Sequence, residues 1–189
     1  MDGQPANSKP LNVPNTLSMI RLVLAIGVGG LIEAGFYMAA MITFIFAAST
    51  DFVDGWWARK FNQVTKLGRI LDPFVDKIII TAALIALVGV PGSGVAAWMV
   101  TVIIGREFLV TSIRAMVEGK GGDFSARWLG KVKMVVQCAA VVACLLHLHY
   151  LDQTTWLKPT AIVLMWSATA ITIASGADYV LQAMKTSRN

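Results

Sequence analysis

The stretch DFVDGWWARKFNQVTKLGRILDPFVDK, residues 51–77, sets Asp51, Asp54, Asp72 and Asp76 at the facing ends of two apolar runs. An ionised carboxylate at membrane depth costs several kcal/mol unless it is paired, metal-bound or wet, so such residues are functional candidates by default. At about 100° per residue, the i, i+3 pair Asp51/Asp54 and the i, i+4 pair Asp72/Asp76 each project from one face of a helix. Gly55 and Ala58 continue the first face, and Gly68 lies one turn before Asp72. Small residues there leave room for a ligand or a neighbouring helix. A blander account exists for Asp72 and Asp76: at the start of a helix they would favour its dipole, and one carboxylate could pair with Arg59 or Lys77. It is weaker for Asp51 and Asp54, which are expected near a helix C-terminal end, where the dipole disfavours negative charge.

Composition sets the solvent. Of 189 residues, 56% are hydrophobic and 14% are charged, with a mean hydropathy of +0.66, whereas soluble domains carry about 25% charged residues. Apolar stretches recur at roughly 17–36, 37–57, 74–90, 95–113, 129–149 and 157–182, each near the ~20 residues that cross a hydrocarbon core. This pattern predicts an all-α integral membrane protein with six transmembrane helices, forming one domain over residues 14–184. Turn formers separate the spans: EAG near residue 35, VPGSG at 90–94, GKGG at 119–122, and HYLDQTT before Lys158 and Pro159. Residues 1–13 are polar, hold Pro5 and Pro10, and are expected to be a flexible tail. The first apolar run starts late and no small-residue cleavage site follows it, which argues against a cleaved signal peptide.

Positive charge orients the chain. Lys9 and Arg21, then Arg59, Lys60, Lys66 and Arg69, then Arg114, Lys120, Arg127, Lys131 and Lys133, then Lys185 and Arg188 all fall on one side, with Lys158 alone opposite. Both termini and the aspartates are therefore expected to face the cytoplasm, from the inner (cytoplasmic) membrane. The net charge of +5 then reflects topology and contact with anionic membrane lipids, with no need for nucleic acid. Cys138 and Cys144, six residues apart on one helix, do not suit a disulfide or a metal clamp. His147 and His149 lie on opposed helix faces, which favours a structural or interfacial role over metal binding.

Four carboxylates balance two divalent cations, since one Mg²⁺ takes only one or two protein carboxylates. Two such ions beside Arg59 would suit in-line displacement at phosphorus. At a membrane surface the natural electrophile is a lipid-linked diphosphate. No Walker-type glycine loop is present, so ATP chemistry is not indicated.

The spacing D-x2-D-G-x2-A-R-x8-G-x3-D-x3-D, filled at every fixed position by residues 51–76, resembles the signature of the CDP-alcohol phosphotransferase family. The resemblance implies a membrane enzyme, usually a homodimer, that transfers a phosphate-linked group from a CDP-linked donor to an alcohol and releases CMP. It implies that Asp51, Asp54, Asp72 and Asp76 hold two Mg²⁺ or Mn²⁺ ions, with Asp76 also taking the acceptor hydroxyl proton. By the same likeness Asn15, Gly55, Ala58, Arg59, Thr65 and Gly68 would bind CDP-diacylglycerol. The NVPN run with Thr16 and Arg21 looks like the short amphipathic helix that precedes the first span in this family.

A second stretch, GREFLVTSIRAMVEGKGGDFSARWLGKVKMVVQ (residues 105–137), bears on the acceptor. Lys120 and Arg127 read as positive-inside decoration. Arg106 lies deeper in an apolar run than topology needs, and a buried arginine wants an anion. With Arg114, Lys131 and Lys133 it is expected to cradle an acceptor phosphate, which suits glycerol 3-phosphate better than choline or serine. The elements RE…R and LGKxK…Q resemble the branch of the family that makes phosphatidylglycerol phosphate, although Ala115 and Met134 stand where that branch commonly has Glu and Thr. The fifth and sixth spans beyond residue 137 carry little information in sequence. Rivals are a sibling using inositol phosphate, which would show the same aspartates, and a divalent-cation transporter. The transporter is disfavoured because the carboxylates share one depth with no polar path onward.

Overall fold

Long apolar runs separated by short polar or glycine-bearing segments fold as α1 (Val13–Glu33), α2 (Tyr37–Phe61), α3 (Lys66–Val88), α4 (Ala97–Glu118), α5 (Trp128–His149) and α6 (Leu157–Thr186). The computed structural model describes residues 13–61, 66–118, 128–151 and 154–186; for 13–15, 17–18, 51–61, 66–76, 117–118, 128–129, 131 and 185–186 it describes the backbone alone. Among the described residues there is no strand. The tail expected over residues 1–13 lies outside the described residues up to 12, and Val13 already belongs to α1. Within those residues the expected amphipathic segment is the opening of α1 itself, since Pro14 sits in the first turn, where its missing N–H costs no hydrogen bond.

Helices outlast the apolar runs. α2 continues to Phe61 and α3 begins at Lys66, eight residues before the apolar run at 74. A helix satisfies its own backbone in water and lipid alike, so it ends where turn chemistry ends it and not where hydrophobicity fades. Asp72 and Asp76 therefore lie six and ten residues into α3. This corrects their expected place at the opening of the helix, and a dipole effect confined to the first turn no longer accounts for them.

The connections make neighbouring helices antiparallel. Gly35 closes α1 at φ +80, with Phe36 N donating to Leu31 O at 2.9 Å and Gly35 N to Ile32 O at 3.0 Å, the paired bonds of a Schellman C-cap. Between α3 and α4, Gly92 and Gly94 take φ +84 and +75, a region that a side chain enters only with strain. A Cβ on Gly94 would also stand 3.3 Å from Ile162 Cγ1 of α6. Gly94→Ala is accordingly expected to destabilise the protein by about 1–2 kcal/mol, read as a lower unfolding temperature in detergent.

α1 packs on α2 and α3, α5 on α6 and α2, and α4 on α6 and α3. The buried residues are mostly small or aliphatic, among them Ala25, Val28, Ile32, Ala40, Phe44, Ala47, Ala83, Leu87, Ala140 and Leu145. α6 contributes Ala161, Met165, Ala168, Thr172, Ser175 and Tyr179, all buried. Their alternating spacing of four and three is a heptad seam, apolar in its first half and polar in its second. Trp98 meets Trp166 at 5.5 Å, and Arg114 meets Tyr179 further along, so α4 and α6 run parallel. Lys133 meets Glu107 and Gln137 meets Thr172, so α5 runs against both.

Large apolar side chains also face outward: Val23 is 68% exposed, Ile26 71% and Val135 70%. A helix that is apolar all round belongs in lipid or inside a larger assembly. Among the described residues, Val132–His149 and Leu157–Met184 are long and apolar enough to cross a membrane, while Tyr37–Thr50 and Lys77–Val88 are shorter apolar segments.

Candidate active site

The up-and-down order puts the C-terminal end of α2, the N-terminal end of α3, the C-terminal half of α4, the N-terminal half of α5 and the C-terminal half of α6 at one end of the bundle. The backbone is helical through Asp51 and Asp54 and again through Asp72 and Asp76, the condition their spacing needs if each pair is to share a face. α2 and α3 are in contact. The side chains of these aspartates, and of Asn15, Gly55, Ala58, Arg59, Gly68 and Lys131, lie outside what is described, as does Thr65 altogether. Among the described residues no group of three or more His, Cys, Asp or Glu could hold a metal ion. Cys138 and Cys144 are free thiols, and His149 packs edge-on to Tyr150 at 4.6 Å.

The described side chains assemble a second feature, a buried polar group between α4, α5 and α6. Arg106 is 8% exposed and Lys133 8%, so neither charge is solvated and each needs a partner within the protein. Glu107 supplies one carboxylate to both: Arg106 Nη1 donates to Glu107 Oε1 at 3.3 Å, and Lys133 Nζ donates to the same oxygen. From α6, Ser175 Oγ accepts from Arg106 Nη2, and the Tyr179 ring lies under the Arg106 guanidinium, whose Cζ is 5.3 Å from the ring centroid. Arg114 Nη2 donates to the Tyr179 hydroxyl at 3.3 Å. Gly176 makes the approach possible, because a Cβ there would stand 3.0 Å from Arg106 Cγ. One turn deeper, Gln137 Nε2 donates to Thr172 Oγ1 at 2.9 Å, and Thr172 Oγ1 donates to Ala168 O at 2.6 Å.

Three of the four residues expected to cradle an acceptor phosphate, Arg106, Arg114 and Lys133, thus join one network. Arg106 pairs with Glu107 within the fold, a residue that had no part in the expected pocket. Spans five and six carried little information as sequence, yet in the structure α6 supplies Thr172, Ser175, Gly176 and Tyr179 to this network. Their signal was present as a polar series at helical spacing, Thr169, Thr172, Ser175 and Tyr179, in a run otherwise apolar enough for a membrane. Chemically, the network offers fixed guanidinium and ammonium donors in dry surroundings, suited to a phosphate or carboxylate.

Comparison with known proteins identifies the family. Residues 11–174 match the family model described as CDP-alcohol phosphatidyltransferase. A protein of Bacillus subtilis (strain 168), named CDP-diacylglycerol--glycerol-3-phosphate 3-phosphatidyltransferase, is 39% identical over 93% of this chain and 98% of its own length. A protein of the same name from Yersinia pestis (strain Pestoides F) is 32% identical over 83% of this chain and 91% of its own. With a family match spanning both the aspartate helices and the first turns of the polar stretch in α6, the chain belongs to the CDP-alcohol phosphatidyltransferase family.

Proposed function

We propose that this chain transfers the phosphatidyl group of CDP-diacylglycerol to a hydroxyl of glycerol 3-phosphate, giving phosphatidylglycerol phosphate and CMP. The observation that carries the choice of acceptor is the buried Arg106–Glu107–Lys133 group, joined to Arg114 through Tyr179, at the same end of the bundle as the aspartate helices. A phosphorylated acceptor gives those cations an anion to bind. The names of the Bacillus subtilis and Yersinia pestis relatives support the same donor and acceptor.

The aspartates fit a pair of hard divalent ions by their donor chemistry, four carboxylates in two helical pairs. Asp51, Asp54, Asp72 and Asp76 would hold Mg²⁺ or Mn²⁺, which when bound supplies charge stabilisation for the diphosphate and the departing CMP. The remaining work belongs to the chain's own groups. Arg59 offers a guanidinium to the donor diphosphate, and Asn15, Gly55, Ala58, Thr65 and Gly68 line the CDP head, the glycines leaving space for it. Asp76 accepts the proton of the acceptor hydroxyl as that oxygen attacks phosphorus. Arg106, Arg114, Lys131 and Lys133 hold the acceptor's phosphate, and holding both reactants in line lowers the entropic part of the barrier. The enzyme is further proposed to be a single domain over residues 14–184 behind a flexible tail, crossing the inner membrane six times as a homodimer, with the site and both termini toward the cytoplasm. The outward apolar surface and the positive-inside charge pattern support that placement.

The test supplies purified protein with CDP-diacylglycerol, Mg²⁺ and a panel of acceptors, and measures CMP. Release with glycerol 3-phosphate is expected. Release only with inositol phosphate would move the chain to a sibling activity, and divalent-ion flux without CMP would make it a transporter. Chelating the divalent ions is expected to abolish CMP release and Mg²⁺ to restore it; turnover that survives chelation would count against the two-ion site.

A further inference from the structure

Arg106 and Arg114 are eight residues apart on α4, so their Cα atoms are separated by about 12 Å along the helix. Two guanidinium groups at that separation on one rod do not converge by themselves. In the structure they meet at a single side chain from another helix: Arg106 lies over the face of the Tyr179 ring, 5.3 Å from its centroid, and Arg114 donates to its hydroxyl at 3.3 Å. Tyr179 is 1% exposed and packs with buried Val110, the α4 residue midway between the two arginines. Its hydroxyl is closed in from α5, where a Cβ on Gly130 would stand 3.7 Å away.

Neutral tyrosine satisfies neither charge, yet it brings two like charges together where repulsion is poorly screened. Each arginine also keeps a buried Nε with no hydrogen-bond partner, an arrangement that leaves donors in hand for an anion. Glu107 answers Arg106 and Lys133; Arg114 reaches this centre through the tyrosine.

We propose that Tyr179 is a positioning residue for the acceptor's phosphate, gathering Arg106 by its ring face and Arg114 by its hydroxyl oxygen so that both serve one phosphate monoester. The proposal rests on the phosphorylated acceptor proposed above. It assigns α6 a part in acceptor selection: Ser175 orients the Arg106 fork, Gly176 admits the arginine stem, and Tyr179 sets the distance between the two cations.

The decisive variant is Tyr179→Phe, which keeps the ring under Arg106 and removes only the oxygen that Arg114 bonds. With the full chain in detergent, CDP-diacylglycerol and Mg²⁺, the KM for glycerol 3-phosphate and the inhibition constant of inorganic phosphate are both expected to rise about three- to tenfold, the net worth of one ordinary hydrogen bond. The KM for CDP-diacylglycerol and the unfolding temperature stay unchanged. Tyr179→Leu, which also removes the ring face, should raise the two acceptor-side constants further. An acceptor KM and a phosphate constant within twofold of the parent in Tyr179→Phe would overturn the proposal, as would donor and acceptor KM rising together, the mark of a purely structural role. If the parent enzyme takes a different phosphorylated alcohol, the choice of glycerol 3-phosphate falls, while the same comparison made with that alcohol and with phosphate still decides Tyr179. If the parent takes only an unphosphorylated alcohol and ignores phosphate, both fall.

Discussion

Asp54→Asn is expected to lower CMP release at least a thousandfold, about 4 kcal/mol of transition-state stabilisation, while the protein still folds. Asparagine matches aspartate in shape but brings no negative charge, so a site built to hold hard cations loses both a ligand oxygen and part of the balancing charge. The backbone of α2 runs as unbroken helix from Tyr37 to Phe61, and a single polar exchange gives no reason for it to break. Helical content and unfolding temperature in detergent should therefore match the parent. The Mg²⁺ concentration giving half-maximal residual activity should rise in the same variant. A loss smaller than about tenfold, with unchanged Mg²⁺ dependence, would show that Asp54 is not a ligand.

Arg106→Ala is expected to raise the KM for glycerol 3-phosphate about a hundredfold and leave the KM for CDP-diacylglycerol within about twofold, as befits one charged partner removed from a dry site. It also leaves Ser175 and Glu107 each short of a partner and opens a gap above Gly176. Stability should fall by about 2–4 kcal/mol through that route. Arg106→Lys separates the two effects: it keeps the charge but cannot at once bond Glu107, donate to Ser175 and lie flat on Tyr179. It should recover much of the stability and little of the acceptor affinity, measured by thermal unfolding beside steady-state kinetics. Equal donor and acceptor effects would remove Arg106 from the acceptor pocket.

The helical class and the family were legible because they are written locally. The aspartate spacing occupies 26 consecutive residues, and its chemistry depends on helical periodicity alone, which the backbone of α2 and α3 upholds. Helix ends were less legible, since hydropathy fades before the helical backbone does: α2 is still helical at Phe61 and α3 already at Lys66. Arg106 stood out as a charge within an apolar run. Its partners did not, because Ser175 lies 69 positions away and a serine or tyrosine in a membrane helix is commonplace taken singly. Only the seam Ala161, Met165, Ala168, Thr172, Ser175, Tyr179 gives them joint meaning, and its phase relative to α4 is a tertiary fact that no single segment contains.

That seam bears on how the molecule is made. Translation delivers α4 and α5 before α6, so for an interval Arg106 and Arg114 have Glu107 at hand but neither Ser175 nor Tyr179. The nascent protein carries its entire aspartate fingerprint at that moment and still lacks the completed polar network. Arrival of the final turns of α6 is then the step that locks the arginines, and chains halted before Thr172 should be the ones that quality-control proteases clear first.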